Sequence, residues 1–315
     1  MRIDYCLILS AGFGTRMRSI GTKLPKPIWP IFEKSILELQ IDYARMLGAK
    51  KVYVNLHFNH NQILNHFHNK EEYEDVHFLI EEEILDIGGG IHNLASQPEV
   101  NYKGRLMALN GDQFVFFDFK KLEQAQSLLN SNKVSLIGVN VNAKFGHSET
   151  LLDKESRLTK IIPTAEVDKS RNINTYSGMC FVDLENLTPI EGNTSLWKSV
   201  ADYKNEKVAM HVLNDYEYWD FGTIDRYWDS MFNVLKKKTQ NNPFVNFLIN
   251  SNGIDLIGLK DTGYFSKSNS INIARNKVQL HDGQILIHGN GNPDNNEKGV
   301  FYNELFEPVK FTQNP

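Results

Sequence analysis

A glycine-spaced turn followed by a cluster of cations, and two aspartates at the ends of apolar runs, are the residues whose types and spacing could do chemistry. Leu7 to Ile31 reads LILSAGFGTRMRSIGTKLPKPIWPI. Gly12 and Gly14 would let backbone N–H groups face a phosphate where a strand ends. Arg16, Arg18, Lys23 and Lys26 follow, and Pro25 and Pro27 stiffen the chain around Lys26. A loop carrying cations onto a polyphosphate is the simplest functional account, and a tight turn with solvated charges is the competing one. The spacing is neither the dinucleotide fingerprint, which needs a further glycine after two spacers, nor a P-loop, with four spacers before Gly-Lys-Ser/Thr. Asp112, in Asn110-Gly111-Asp112, directly follows an apolar run, and Asp220 opens Asp-Phe-Gly-Thr much further along. Two carboxylates brought to the carboxyl edge of a sheet would suit Mg2+, which takes hard oxygen ligands and keeps waters and substrate phosphates around it. Read singly, Asp112 is equally a turn aspartate and Asp220 a helix N-cap.

Other chemistry-bearing residues fit no site of their own. His57, His60, His66 and His68 have no cysteine among them and match neither a zinc finger nor His-Glu-x-x-His, so most of them are expected to be solvent-facing helix residues. The acidic run Glu81–Glu83 is expected to be a solvated edge, and Trp197, Trp219 and Trp228 core or cleft wall. Cys6 and Cys180 sit in separate apolar runs and read as reduced core thiols, which suits the cytoplasm. The net charge is −4 and no long basic tract occurs, so no nucleic-acid partner is expected. A small acidic substrate needs only local positive charge. No apolar stretch approaches the roughly 20 residues that span a bilayer, and no charged leader precedes an apolar core, so a soluble, cytoplasmic protein without membrane contact is expected.

The elements that must position these residues follow from periodicity. Tyr5–Ser10 is a short apolar run ending at Gly12 and reads as a buried strand. Ser35 and Glu38 make a capping box, Leu37, Ile41, Ala44 and Leu47 form one helical face, and Gly48 provides the stop. KVYVNL, VHFLI, RLMALNGD and VSLIGVNV read as further strands. Helices are expected between them at NHNQILNHF, GGGIHNLA and FKKLEQAQSLLNSN. That alternation predicts an α/β fold with a Rossmann-like, doubly wound, mostly parallel sheet. After about residue 145 shorter strands are expected to complete the sheet and line a cleft, and DRYWDSMFNVLKKK to close it as a helix. TQNNPF then marks a boundary, giving a catalytic domain at 1–238 and a short strand-rich extension at 239–315.

Taken whole, the opening stretch resembles the signature of the sugar-1-phosphate nucleotidyltransferases, in which Leu-x-Ala-Gly-x-Gly-Thr-Arg is followed by Pro-Lys-Pro. DIGGGI at Asp86–Ile91, NGD at Asn110–Asp112 and DFGT at Asp220–Thr223 fall in that family's order. Within the family the pattern is most similar to bacterial N-acetylmuramate-1-phosphate uridylyltransferases. The resemblance implies that the doubly wound sheet is mixed. It also implies Mg2+-dependent attack of a sugar-1-phosphate oxygen on the α-phosphorus of a nucleoside triphosphate, with pyrophosphate leaving. It implies a nucleotide site at Ala11, Gly12, Gly14, Thr15, Gly88, Gly89, Asn110 and Gly111, with Arg16 and Lys26 on the phosphates. It also implies metal ligands Asp112 and Asp220, and an acceptor site at Ser177, Gly178 and Lys198. A plain core strand and a solvated helix lysine are the alternatives for those last three residues. UTP is the nucleotide expected from likeness. GTP with a mannose- or heptose-1-phosphate, CTP with another phosphorylated acceptor, and a catalytically silent nucleotide-sugar-binding protein are the alternatives. Asp86 and Ile87 stand where relatives often carry Glu and Thr. The product would be an NDP-sugar for cell-envelope or capsule synthesis. An oligomer is allowed, and the extension is open to being a worn β-helix, a packing flap or an interaction segment.

Overall fold

A computed structural model of the chain describes residues 3–237, 241–252, 270–275, 278, 280–292 and 294–310. The boundary expected at 238/239 lies outside the described residues. In chain order the elements begin with β1 (Ile3–Leu9), α1 (Arg18–Lys23), the antiparallel pair β2 (Pro30–Ile31) and β3 (Lys34–Ser35), α2 (Ile36–Met46), β4 (Ala49–Leu56) and α3 (His60–Phe67). There follow β5 (Val76–Ile80), α4 (Asp86–Ala95), β6 (Arg105–Asn110), β7 (Gln113–Phe116), α5 (Phe119–Ser127), β8 (Val134–Asn142), β9 (Glu149–Leu152), β10 (Leu158–Ile162) and β11 (Asn172–Asp183). The last are α6 (Leu196–Ser199), β12 (Val208–Leu213), β13 (Glu217–Asp220), α7 (Ile224–Lys237), α8 (Pro243–Asn252), β14 (Ile271–Asn272), β15 (Gln284–His288), β16 (Gly299–Tyr302) and β17 (Leu305–Pro308). Contacts gather these into two compact units, one of Met1–Gly12, Tyr43–His60 and Phe67–Tyr218, the other of Phe13–Asp42, Asn61–His66 and Trp219–Pro315.

The first unit is built on a seven-stranded sheet in the order β12-β8-β11-β6-β1-β4-β5. Cys6, Leu7 and Ile8 are wholly buried, as a central strand covered on both faces requires. β1 runs parallel to β4 and β6, β4 to β5, and β8 to β12, while β11 runs antiparallel to both β6 and β8. The sheet is therefore mixed, as expected. Leu9 pairs with both Asn55 and Asn110, which aligns the carboxyl ends of β1, β4 and β6 at one edge. In such folds that edge is where loops converge on a ligand. The core packs Leu7, Tyr53, Ile91, Leu106, Leu136, Cys180 and Met210, and both cysteines are buried and unbridged.

The second unit has an aromatic core. The rings of Trp29 and Tyr227 meet edge to face at 5.0 Å, and Tyr227 donates its hydroxyl to Pro30 O at 2.6 Å. Trp219 and Phe221 both pack on Phe244 of α8. The capping box expected at the start of α2 is present: Ser35 N donates to Glu38 Oε2 at 2.7 Å and Glu38 N to Ser35 Oγ at 3.3 Å. A four-stranded sheet ends the described chain. β14, β15 and β16 run parallel, with Ile271, Ile285 and Val300 stacked in register, and β17 returns antiparallel on β16. Trp228 of α7 ties to this sheet by donating to Gly283 O at 2.7 Å. Among the described residues no helix is long and apolar enough to cross a membrane.

Candidate active site

In the second unit the glycine turn leads into a single 3-10 turn, Thr15–Met17. Gly14 has φ +64°, in the left-handed region where only glycine is unstrained, and its carbonyl accepts from Met17 N at 2.8 Å. A side chain on Gly14 would come within 3.9 Å of Lys26 Cβ, so Lys26 flanks the turn. Thr15 and Arg16 are exposed and Lys26 is half-buried in the 3-10 segment Lys26–Ile28, which Pro25 and Pro27 frame. Arg18 does not join these cations. Its guanidinium donates to Asp225 Oδ2 at 2.8 Å and Pro308 O at 2.6 Å. In the first unit Ala11 is buried and Gly12 is exposed, with nothing within 4 Å of where its Cβ would lie.

At the carboxyl edge of the first unit's sheet, a hydrogen-bonded chain ties three parallel strands to α4. Ser10 N donates to Asn55 Oδ1 at 2.8 Å, Asn55 Nδ2 to Glu81 Oε1 at 2.7 Å, and Leu85 N to Glu81 Oε2 at 3.1 Å. Glu81 is only 4% exposed, which corrects the expectation of a solvated acidic edge, although Glu82 and Glu83 do face solvent. Burial pushes the Glu81 carboxyl above its ordinary value, and the Asn55 amide opposes the shift. The available sequence signal was position, since Glu81 follows the VHFLI strand directly. His68 faces solvent as expected, but His57 and His66 are half-buried: His57 Nδ1 lies 2.9 Å from Glu81 O, and in the second unit His66 Nε2 lies 2.9 Å from the buried Glu38 carboxylate.

The same edge holds Asn110, Gly111 and Asp112. Gly111 N donates to Leu9 O at 3.0 Å, and a Cβ on Gly111 would lie 2.6 Å from Ser10 Oγ, so only glycine fits. Ser10 Oγ is itself buried without a hydrogen-bond partner among the described residues. An orphaned buried hydroxyl against Gly111, the residue before the buried Asp112, is what a polar ligand would satisfy. Asn110 Nδ2 donates to Gln113 Oε1 at 2.9 Å, and Gly178, at φ +89°, lies so close that a Cβ there would stand 2.7 Å from Asn110 Nδ2. The β11 register is broken between Tyr176 and Cys180, and this bulge brings Gly178 against Asn110. Nucleotide and acceptor candidates thus meet here. Ser177 turns away from them, its hydroxyl donating to Ile137 O at 2.9 Å.

Gly88 and Gly89 serve close packing. A Cβ on Gly88 would lie 2.5 Å from Ser195 O and Ser199 Oγ, and one on Gly89 2.5 Å from Gly192 O. Gly89 N donates to Thr194 O at 2.9 Å. The start of α4 is thereby held against α6, on which Lys198 is exposed. Asp86, at φ +59°, caps the turn locally as its Oδ1 accepts from Ile87 N at 2.6 Å.

In the second unit Asp220 is largely buried, with Oδ1 accepting from Gly222 N and Oδ2 from Arg226 Nη1, both at 2.7 Å. It is not the N-cap of α7. Thr223 takes that place, its Oγ1 accepting from Arg226 N at 3.1 Å. The described residues hold no cluster of three His, Cys, Asp or Glu side chains able to grip a metal. Mg2+ does not need one, since one or two carboxylates with water and phosphate oxygens suffice. Buried, hard-oxygen carboxylates at Asp112 and Asp220 fit that chemistry, each carboxylate oxygen having more than one acceptor site.

The nucleotidyl transferase family pattern matches residues 5–237. A D-glycero-alpha-D-manno-heptose 1-phosphate guanylyltransferase of Campylobacter jejuni is 27% identical over 72% of this chain and 98% of its own length. A UTP–glucose-1-phosphate uridylyltransferase of Synechocystis is 25% identical over 75% of this chain and 64% of its own. The bifunctional protein GlmU of Methanococcus vannielii is 30% identical over 71% of this chain, which spans about half (52%) of that longer protein. Among solved structures, HddC from Yersinia pseudotuberculosis, complexed with GMP-PN, has a TM-score of 0.61 at 22% identity, covering 73% of this chain and 99% of its own. That likeness bears on the fold.

Proposed function

The chain belongs to the nucleotidyl transferase family, and from that premise we propose that it transfers GMP from GTP to a sugar-1-phosphate of the hexose or heptose class, using Mg2+ in the cytoplasm. An oxygen of the sugar-1-phosphate forms the new bond to the α-phosphorus as the bond to pyrophosphate breaks, giving the NDP-sugar. The observation that carries the reading is the edge where Gly111 and Gly178 leave no room for side chains, next to the buried Asp112 and to a Ser10 hydroxyl with no hydrogen-bond partner among the described residues.

Each residue's task follows from charge and space. Backbone at Ala11, Gly12, Gly14 and Thr15 approaches the triphosphate, and Arg16 and Lys26 neutralise it. Arg16 stabilises the leaving pyrophosphate, where negative charge grows, and Lys26 holds the reacting phosphates. Asp112 and Asp220 are each assigned as a carboxylate ligand, and the bound Mg2+ would supply charge neutralisation of the phosphate oxygens. Asn110 and Gly111 are assigned to the nucleotide and Gly178 to the acceptor sugar, with Lys198 on its phosphate. Gly88 and Gly89, which other chain segments crowd, and Ser177, whose hydroxyl is taken by Ile137 O, are assigned to packing rather than to the ligands expected from the resemblance. Aligning two polyanions in line is most of the catalytic work.

GTP is placed ahead of the UTP expected from motif likeness because the relative matched along nearly its whole length is a guanylyltransferase. UTP stays as the second reading, favoured by the uridylyltransferase relative. Pyrophosphate release with Mg2+ across GTP, UTP, CTP, ATP and dTTP, each against a panel of sugar-1-phosphates, decides between them. Turnover with GTP supports the first reading, and turnover with UTP alone transfers it to the second. Nucleotide binding without pyrophosphate from any pair would identify a silent binding protein.

A further inference from the structure

The segment that follows the nucleotide turn is gripped by residues nearly 300 positions away. Arg18 has φ +52° and ψ −139°, a conformation that strains any side-chain-bearing residue and persists only when its surroundings hold it. The holders are identifiable. Arg18 Nη1 donates to Pro308 O at 2.6 Å and lies 3.7 Å from Glu307 Oε2, while Nη2 donates to Asp225 Oδ2 at 2.8 Å. Glu307 Oε1 accepts from both the backbone N of Ser19, at 2.8 Å, and its hydroxyl. The other oxygen of Asp225 accepts from Lys310 N at 2.6 Å, which fastens the chain just beyond β17 to α7. The Glu307 side chain is 13% exposed, against 29% for Arg18 and 36% for Asp225, so Glu307 is the most sheltered member of the group.

What is held bears directly on the turn. Ser19 lies in the first helical turn of α1, where amides have no partner within the helix, and Glu307 supplies one. α1 in turn rests on the glycine turn: a Cβ on Gly21 would lie 2.7 Å from both Gly14 O and Met17 Cβ, so the two backbones touch. A displacement of α1 would therefore move Gly14 and the Thr15–Met17 turn that presents Arg16. Glu307, Pro308 and Lys310 all lie beyond the family pattern's span of 5–237.

We infer that β17 and Lys310 are a positioning clamp for the nucleotide turn, with Glu307 and Arg18 as positioning residues that set triphosphate affinity through α1. The role in affinity rests on the nucleotidyltransferase reading, whereas the clamp itself does not.

The test compares the full-length protein with Glu307→Ala, Glu307→Gln and Ser19→Ala in two measurements. Hydrogen–deuterium exchange without substrate reads the clamp, and KM for the nucleoside triphosphate against KM for the sugar-1-phosphate reads its purpose. The expected result is faster exchange confined to residues 13–24, with the triphosphate KM raised by about tenfold in Glu307→Ala. The sugar-phosphate KM should stay within about twofold, and Glu307→Gln, which keeps an acceptor oxygen for Ser19, should fall between. Unchanged exchange at 13–24 would overturn the clamp. Faster exchange with an unchanged triphosphate KM would overturn its positioning role, as would a loss of kcat alone in step with melting temperature. Should Glu307→Ala not fold, Ser19→Ala and Glu307→Gln carry the same two readouts. A wild-type protein that turns over no nucleotide would sink the functional reading, and the exchange comparison would still decide the clamp.

Discussion

Asparagine at position 112 would keep the shape of the side chain and remove its charge. Because the substitution keeps the size and shape of this buried side chain, Asp112→Asn should leave the protein folded and lower turnover by roughly a hundredfold or more. Wild-type turnover in that variant would remove Asp112 from the chemistry. His92 gives a second prediction. It is 2% exposed, its Nδ1 lies 3.1 Å from Tyr102 Oη, and burial holds its imidazole pKa below the ordinary value. A depressed histidine pKa means the native state holds the ring neutral. Its contribution to stability is intact above the ordinary imidazole value and is lost as pH falls through the folded-state value. Melting temperature should therefore drop on the acid side of the ordinary value, and His92→Asn should flatten that limb. A parallel decline in both proteins would show that His92 is not its source. At this scale the glycine turn and Asn110-Gly111-Asp112 could be read from sequence because spacing along the chain defines them. Glu81 and Arg18 could not, since their surroundings come from Asn55, Asp225 and Glu307, which are remote in sequence.

Among elements, α4 and β11 are where sequence periodicity says least about why the residues are there. Three successive glycines weaken a helix by propensity, yet each position is crowded: Gly88 by Ser195 and Ser199, Gly89 by Gly192, and Gly90 by the Asn55 amide. Gly88→Ala should cost about 1–3 kcal/mol, since Ser195 O is backbone and cannot step aside as the Ser199 hydroxyl can. Thermal or urea unfolding measures it, and a neutral result would mean that α6 yields. Gly178→Ala meets both a left-handed φ and the Asn110 amide, so it should destabilise β11 and, on the acceptor assignment, raise the sugar-phosphate KM. The capping box at Ser35 and Glu38 and the strand runs were visible in advance because they are local patterns. The β11 bulge was not, because a break in register is defined against β8, a separate stretch of chain.

For the molecule as a whole, the sheet of the first unit could be foreseen from alternating apolar runs, but those runs indicate parallel strands, and its mixed character, set by the antiparallel β11, is implied only by the family resemblance. The composition of the second unit could not. It assembles Phe13–Asp42, Asn61–His66 and Trp219–Pro315, and no periodicity announces that such separate stretches share one core. A protein ending at Lys237 would keep the whole family span, yet it would uncover Trp219 and Phe221 where Phe244 packs and Trp228 where Gly283 accepts its N–H. Such a truncation should self-associate and lose cooperative unfolding, which sedimentation and calorimetry would register. A monomeric, cooperatively folding product would show that residues 5–237 suffice.

The bonds from Glu307 and Pro308 to Arg18 and Ser19 also set an order of events during biosynthesis. The strands of the first unit have all left the ribosome well before β17, and chains fold from the N-terminal side as they emerge. A nascent chain can thus complete its seven-stranded sheet while the turn at Gly14 still lacks its last fastening. That turn, made among the first residues, is finished only when residues 305–310 are translated.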